Sequence, residues 1–125
     1  MLLDTCALLW LAHDQRKIST ATLEKISSTP VVCITSITGF EIGLKYSAGK
    51  LRLPMPPHDW LFGIVQHHQI DILDLTLDIA MKATQLPAIH RDPCDRFIIA
   101  TAMVHGLPIV TADQRFAAYG VEVIG

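Results

Sequence analysis

A chain of 125 residues, half of them hydrophobic, is long enough for one compact domain with a sizeable core and too short for a second. Charged residues make up 18% and the formal net charge is −2, so any basic surface for a polyanion must be local rather than global. Three cysteines without CxxC spacing exclude a zinc knuckle and a disulfide framework, which leaves a reduced, cytoplasmic setting as the expectation.

The opening MLLDTCALLWLAH is apolar but carries Asp4 and lacks the basic flank and small-residue site of a leader peptide. No apolar run reaches membrane-spanning length, so no membrane partner is expected. Met1–Leu3 reads as a short first strand and Thr5–His13 as a helix, followed by a second helix near Ser19–Ser27. VVCIT, Val31–Thr35, is a buried-type strand rich in β-branched residues, and Ser36 is placed to cap the helix after it. That helix carries Ile37, Phe40, Leu44 and Ala48 at the spacing of a core-facing stripe, with Glu41 along its flank. Three prolines make KLRLPMPPH a connection, and a helix follows near Asp59–His68.

IDILDL, Ile70–Leu75, alternates like a strand. A helix near Leu77–Leu86 and another over Pro93–His105 follow, then a strand from Leu107, a short helix near Gln114–Tyr119 and a last strand in VEVI. Short apolar runs alternating with helical patterns predict an α/β fold: three layers, α/β/α, around a mainly parallel sheet.

Chemistry in such a sheet gathers beyond the carboxyl ends of the strands. Asp4 ends the first strand, Asp113 follows the late strand PIVT, and Asp95 lies in the first turn of the helix that feeds that strand. Helix capping alone would explain Asp4, Asp92, Asp95 or Asp113 singly, and an i,i+4 pair with Lys45 would explain Glu41. Several carboxylates on one edge, however, repel unless protons or cations intervene. Hard oxygen ligands grouped this way suit Mg²⁺ or Mn²⁺.

With LLDTCALLW, FEIGLKYSAGKLRL, HRDPCDRFIIATA and LPIVTADQRFAAYGVEVI in this order, the whole chain resembles the PIN-domain ribonucleases, and among them the VapC-like toxins of type II toxin–antitoxin pairs. The resemblance implies an endoribonuclease dependent on Mg²⁺ or Mn²⁺, a homodimer, and a cognate VapB-like antitoxin. Asp4, Glu41, Asp95 and Asp113 match the family's acidic positions. Asp4, Asp95 and Asp113 are then the expected metal ligands, with Glu41 completing the shell or orienting the attacking water. Asp92 is expected to cap first and to support the site at most. Thr5, Thr35 and Thr111 can hydrogen-bond the carboxylates.

Removing the four acids from the count leaves a formal +2, and Lys45, Lys50, Arg91, Arg96 and Arg115 are the expected RNA contacts around the rim. The histidines show no metal spacing, and His90 is not assigned a catalytic part. Trp10, Trp60 and Phe97 read as core or dimer contacts. A dehalogenase-type phosphatase would need a second aspartate where Cys6 stands, and a receiver module a lysine where the late strand ends in Thr111-Ala112-Asp113. A PIN-like scaffold that binds RNA or protein without cutting is the alternative.

Overall fold

The computed structural model describes all 125 residues. Five very short strands form one sheet: β1 (Leu2–Leu3), β2 (Cys33–Thr35), β3 (Asp71–Leu73), β4 (Ile109–Val110) and β5 (Val123–Ile124). Their order is β3-β2-β1-β4-β5 and every pairing is parallel. The helices are α1 (Thr5–His13), α2 (Thr20–Ser28), α3 (Ser36–Ser47), α4 (Pro57–His67), α5 (Leu77–Gln85) and α6 (Pro93–His105), with 3₁₀ turns at Gln15–Lys17 and Gln114–Tyr119.

The strands alternate as a sheet covered on both faces requires. Leu3, Ile34 and Val110 point into a core shared with Leu8, Leu11, Ile42 and Trp60. Their neighbours Leu2, Cys33 and Ile109 point the opposite way, against Ile98, Ile99 and Phe116. The result is the expected α/β/α sandwich, with a smaller cluster of Ile79, Ala83 and Ala100 joining α5 to α6.

The strand order places the site. The chain builds outward from β1 through β2 to β3, then returns to the other side of β1 with β4 and β5. A crevice opens beyond the carboxyl ends of the two strands where this reversal occurs, β1 and β4. Asp4 follows β1 directly and donates its backbone N–H to Val110 O of β4 at 3.1 Å, which pins it in that crevice.

Two local expectations are corrected. Phe40 and Leu44 are 58% and 56% exposed, and Ala48 is exposed too, whereas Ile37, Thr38 and Ile42 are buried. Thus the inward face of α3 runs through 37, 38 and 42, and the apolar pattern at 40, 44 and 48 belongs to the outer side. Glu41 faces inward because it adjoins Thr38 and Ile42, not because of Phe40. Ser36 does not cap α3 either: it lies within the helix, and its hydroxyl accepts the Leu75 N–H at 3.0 Å, tying α3 to the strand-end loop of β3.

α6 ends at Gly106, whose φ of 65° is the left-handed conformation that a Cβ penalises, with its N–H donated to Ala102 O. Because Ile42 is fully buried in the main core while Phe40 is not, the two substitutions should separate cleanly in urea unfolding. Ile42→Ala is expected to cost about 2–5 kcal/mol, and Phe40→Ala less than about 1 kcal/mol. Equal losses would contradict this assignment of faces.

Candidate metal centre

Asp4, Glu41, Asp92, Asp95 and Asp113 line one cleft together with Thr5, Cys6, Trp10, Lys45 and Ala112. Each acid arrives there for a local reason. Asp4 caps α1, its Oδ1 accepting the Ala7 N–H at 2.7 Å, while Oδ2 accepts the Thr111 hydroxyl at 2.5 Å. Thr111 Oγ1 also accepts the Asp113 N–H at 3.0 Å, so this one threonine ties the acid after β1 to the acid after β4. Asp113 caps the following 3₁₀ turn through the Arg115 N–H. Asp92 caps α6 by accepting the Cys94 N–H at 2.9 Å.

Glu41 is held from two sides. The Thr5 hydroxyl donates to Oε1 at 2.7 Å and Lys45 Nζ lies 3.2 Å from Oε2. Having spent its proton on Glu41, Thr5 can only accept from the Thr38 hydroxyl, 3.1 Å away. The i,i+4 pair foreseen for α3 therefore coexists with inward placement of its carboxylate. Thr35 Oγ1 is buried without a hydrogen-bond partner.

Asp95 has a partner that sequence reasoning left out. His90 is 3% exposed, and its Nε2 stands 2.9 Å from Asp95 Oδ2 and 3.0 Å from Asp113 Oδ2. Its Nδ1 accepts the Asp92 backbone N–H at 3.2 Å, which puts the proton of the neutral ring on Nε2, between the two carboxylates. His90 thus bridges the acids as a donor rather than as a ligand. The Tyr119 hydroxyl accepts the His90 backbone N–H at 2.7 Å and donates to Pro87 O, while Phe116 meets the imidazole edge-on. The signal in the sequence was the position alone: a histidine two residues before a capping aspartate.

The expected basic rim divides. Arg96 gives its donors to the carbonyls of Ala83, Leu86, Pro87 and His90, at 2.7–3.1 Å, and so fastens the loop that carries His90. Arg115 grips Asp113 in a two-point contact, Nε–Oδ1 at 3.0 Å and Nη2–Oδ2 at 2.8 Å. Lys45 is paired with Glu41. Lys50 and Arg91 are exposed, and neither forms an ion pair.

Electrostatics separate the acids. Burial raises the Asp4 carboxyl, opposed by the Thr111 and Ala7 hydrogen bonds and reinforced by the charges of Glu41 and Asp113. Burial, with the Asp92 charge next in weight, pushes Asp95 up to about 6, against the pull of His90. Arg115 holds Asp113 down at about 2. Burial raises the Cys6 thiol and pushes Cys94 up to about 11, so neither offers a thiolate nucleophile at neutral pH.

Two acids pushed upward by burial among further acids are what a site lacking counter-charge looks like, and the donors on offer are carboxylate oxygens. Both features fit a divalent cation of the Mg²⁺ or Mn²⁺ type. His90, Asp95 and Asp113 bring ligand-type atoms within 4.8 Å of one another. Asp4 and Glu41 line the same cleft but stand outside that group.

The PIN domain family profile matches residues 1–122. The chain is 28% identical to Ribonuclease VapC22 of Mycobacterium tuberculosis over 120 residues, covering 95% of this chain and 91% of that protein. In fold it is similar to the structure of VapBC2 from Rickettsia felis bound to a DNA fragment from their promoter, with a TM-score of 0.74 at 15% identity, covering 98% of this chain and 96% of that one. It is also similar to DNA-bound VapBC from Salmonella typhimurium, with a TM-score of 0.71 at 23% identity and coverage of 98% and 95%.

Two outcomes are expected from thermal unfolding. The raised Asp95 pKa contributes stability that is fully present below about pH 4 and lost as pH rises through about 6. A divalent cation bound here would take the place of that proton, so the gain in Tm on adding Mn²⁺ should be larger at pH 7.5 than at pH 5, and a gain that is equal or larger at pH 5 would contradict the site. His90→Ala leaves both carboxylates and the Asp92 N–H short of a partner. It should lower stability by about 1–3 kcal/mol in the metal-free protein; an unchanged melting curve would remove the bridge from the account.

Proposed function

The chain belongs to the PIN-domain family, and from that premise we propose that it works, as a single domain, as a divalent-metal-dependent endoribonuclease and as the toxin of a toxin–antitoxin pair. The observation that carries the reading is the gathering of Asp4, Glu41, Asp95 and Asp113 in one cleft at the switch point of the sheet. The similarity to a ribonuclease of the VapC type supports it.

Asp4, Asp95 and Asp113 would hold Mg²⁺ or Mn²⁺, with Glu41 completing the shell. When bound, such an ion lowers the pKa of water and offsets charge that develops on phosphoryl oxygens. The protein's own part is arrangement. Thr111 fixes Asp4 relative to Asp113, and His90 fixes Asp95 relative to Asp113. Thr5 and Lys45 hold Glu41 where its carboxylate can accept a proton from an attacking water. Lys45 and Arg115, paired with Glu41 and Asp113, keep positive charge beside the acids for the RNA backbone, and exposed Lys50 and Arg91 are the further candidates for phosphate contacts.

The partners of the reading are an RNA substrate, a VapB-like antitoxin that covers the acidic cleft, and a second copy of the chain. Exposed Phe40 and Leu44 on α3 and Leu77 and Met81 on α5 support surfaces that need covering. No helix is long and apolar enough to cross a membrane, and the proposed site of action is the cytoplasm.

Purified protein incubated with structured RNAs, including tRNA, should cut in Mg²⁺ or Mn²⁺ and stop cutting in EDTA. Asp4→Asn should reduce the rate by at least about 100-fold, beyond the 10- to 100-fold loss usual for an outer-shell partner. In cells the active protein should arrest growth, and its antitoxin should relieve the arrest. Cleavage that survives both EDTA and Asp4→Asn would contradict the metal mechanism, and tight RNA binding without any cleavage would contradict the enzyme.

A further inference from the structure

Beside the acidic cleft lies a second cavity of about 500 Å³, within the ~300–1,000 Å³ range of small-ligand sites. It opens between α1, the start of α2 and the carboxyl ends of β4 and β5, and it adjoins the cleft, with Trp10 and Ala112 lining both. Its inner wall sets Ala7, Ile18 and Val110 beside the buried hydroxyls of Thr22 and Thr111, and it contains no acidic side chain. Trp10 is half-buried, with exposed Lys17 placed over its indole, Nζ 6.0 Å from the ring centroid. Gln114, also exposed, lines the cavity and makes no side-chain hydrogen bond within the protein.

We infer that this cavity is a nucleobase subsite, which receives an unpaired base of the RNA next to the phosphate held in the acidic cleft. The inference rests on the ribonuclease reading above and adds to it a place where the substrate's sequence can be read.

Chemistry and adjacency to the acidic cleft select this occupant. A nucleobase has apolar faces and a polar edge. The lining offers an indole to stack on, an aliphatic wall to enclose the base, and an uncommitted amide to meet the edge. Lys17 is the movable part of the site: an exposed lysine can leave the indole face to a base and turn its ammonium to the adjoining phosphate. Neither a bare phosphate nor a cation suits the aliphatic wall. A base stacked on Trp10 would have the acidic cleft as its neighbour, since Trp10 and Ala112 line both spaces. Only an unstacked base can enter, so the substrate should be single-stranded or looped at the point of cleavage.

Tryptophan fluorescence tests the subsite without turnover. In EDTA, octamers of adenylate, uridylate and cytidylate are titrated into the full chain, alongside AMP, UMP and CMP. At least one octamer should quench the emission, the quench should vanish in Trp10→Phe, and the mononucleotides should bind at least about tenfold more weakly. Lys17→Ala and Gln114→Ala change exposed side chains and should leave the fold intact by circular dichroism. On an RNA that the wild type cleaves, each should raise KM about 3- to 10-fold with kcat little changed, and removing the base beside the mapped cut should do the same in the wild type but add little in Lys17→Ala.

Cleavage by the wild type with no quench and no rise in KM would overturn the subsite while leaving the ribonuclease reading intact. Quenching without cleavage of any RNA would uphold the subsite and overturn the enzyme. Mononucleotides binding as tightly as the octamers would make the cavity a free-nucleotide site, and no quenching by any of these probes would leave it to a protein side chain; either result overturns the inference.

Discussion

One imidazole N–H stands between two carboxylates. His90 Nε2 lies within hydrogen-bond distance of both Asp95 and Asp113, and most of what positions the cleft leads to that contact. Arg96 gathers four backbone carbonyls so that the loop between α5 and α6 presents His90 inward. Tyr119 receives its backbone N–H, Phe116 packs against the ring, and the Asp92 N–H settles which nitrogen carries the proton. A buried donor shared by two acids orders them at a fixed separation and leaves Asp95 Oδ1 without a protein partner, whereas Asp113 Oδ1 is held by Arg115. The two cations beside the cleft, Lys45 and Arg115, are paired with Glu41 and Asp113, so Asp4 and Asp95 have no Lys or Arg partner.

That shortage gives the cleft its chemistry. Strands of two or three residues can anchor little by length, but the parallel register still sets the ends of β1 and β4 side by side, and the sheet's reversal opens the crevice between them. Thr111 turns this adjacency into a link of two hydrogen bonds between Asp4 and Asp113. The cost shows in the raised carboxyls of Asp4 and Asp95, which burial holds among like charges. Arg115 offsets the charge of Asp113 only. A divalent cation bound in the cleft would supply the missing charge.

Periodicity and turn chemistry made much of this legible in the sequence. Alternating short runs and helices indicated the layered sheet, and Asp92-Pro93 marked the start of α6, because a capping residue before proline has few other uses. The acids were legible because strand ends and helix starts are local features. Other features depended on tertiary partners. The stripe at Ile37, Phe40, Leu44 and Ala48 misjudged the inner face of α3, since an exposed apolar side of a helix has the same spacing as a buried one. Arg96 looked like a cation for RNA, and nothing local indicates that four carbonyls converge on it. His90 lacked any metal-ligand spacing, because its partners lie 5 and 23 residues away and it serves them as a donor. Ser36 sat where a cap is expected, yet its hydroxyl meets Leu75 from a distant loop.

The central claim is that these carboxylates are held together to receive a divalent cation. A crystal structure grown with Mn²⁺, with anomalous difference density collected at the manganese edge, addresses it most directly. A peak is expected in the cleft at coordination distance from Asp4, Asp95 and Asp113, with Glu41 completing the shell. A cleft empty of anomalous density at saturating Mn²⁺, or manganese bound only at surface acids outside it, would contradict the account.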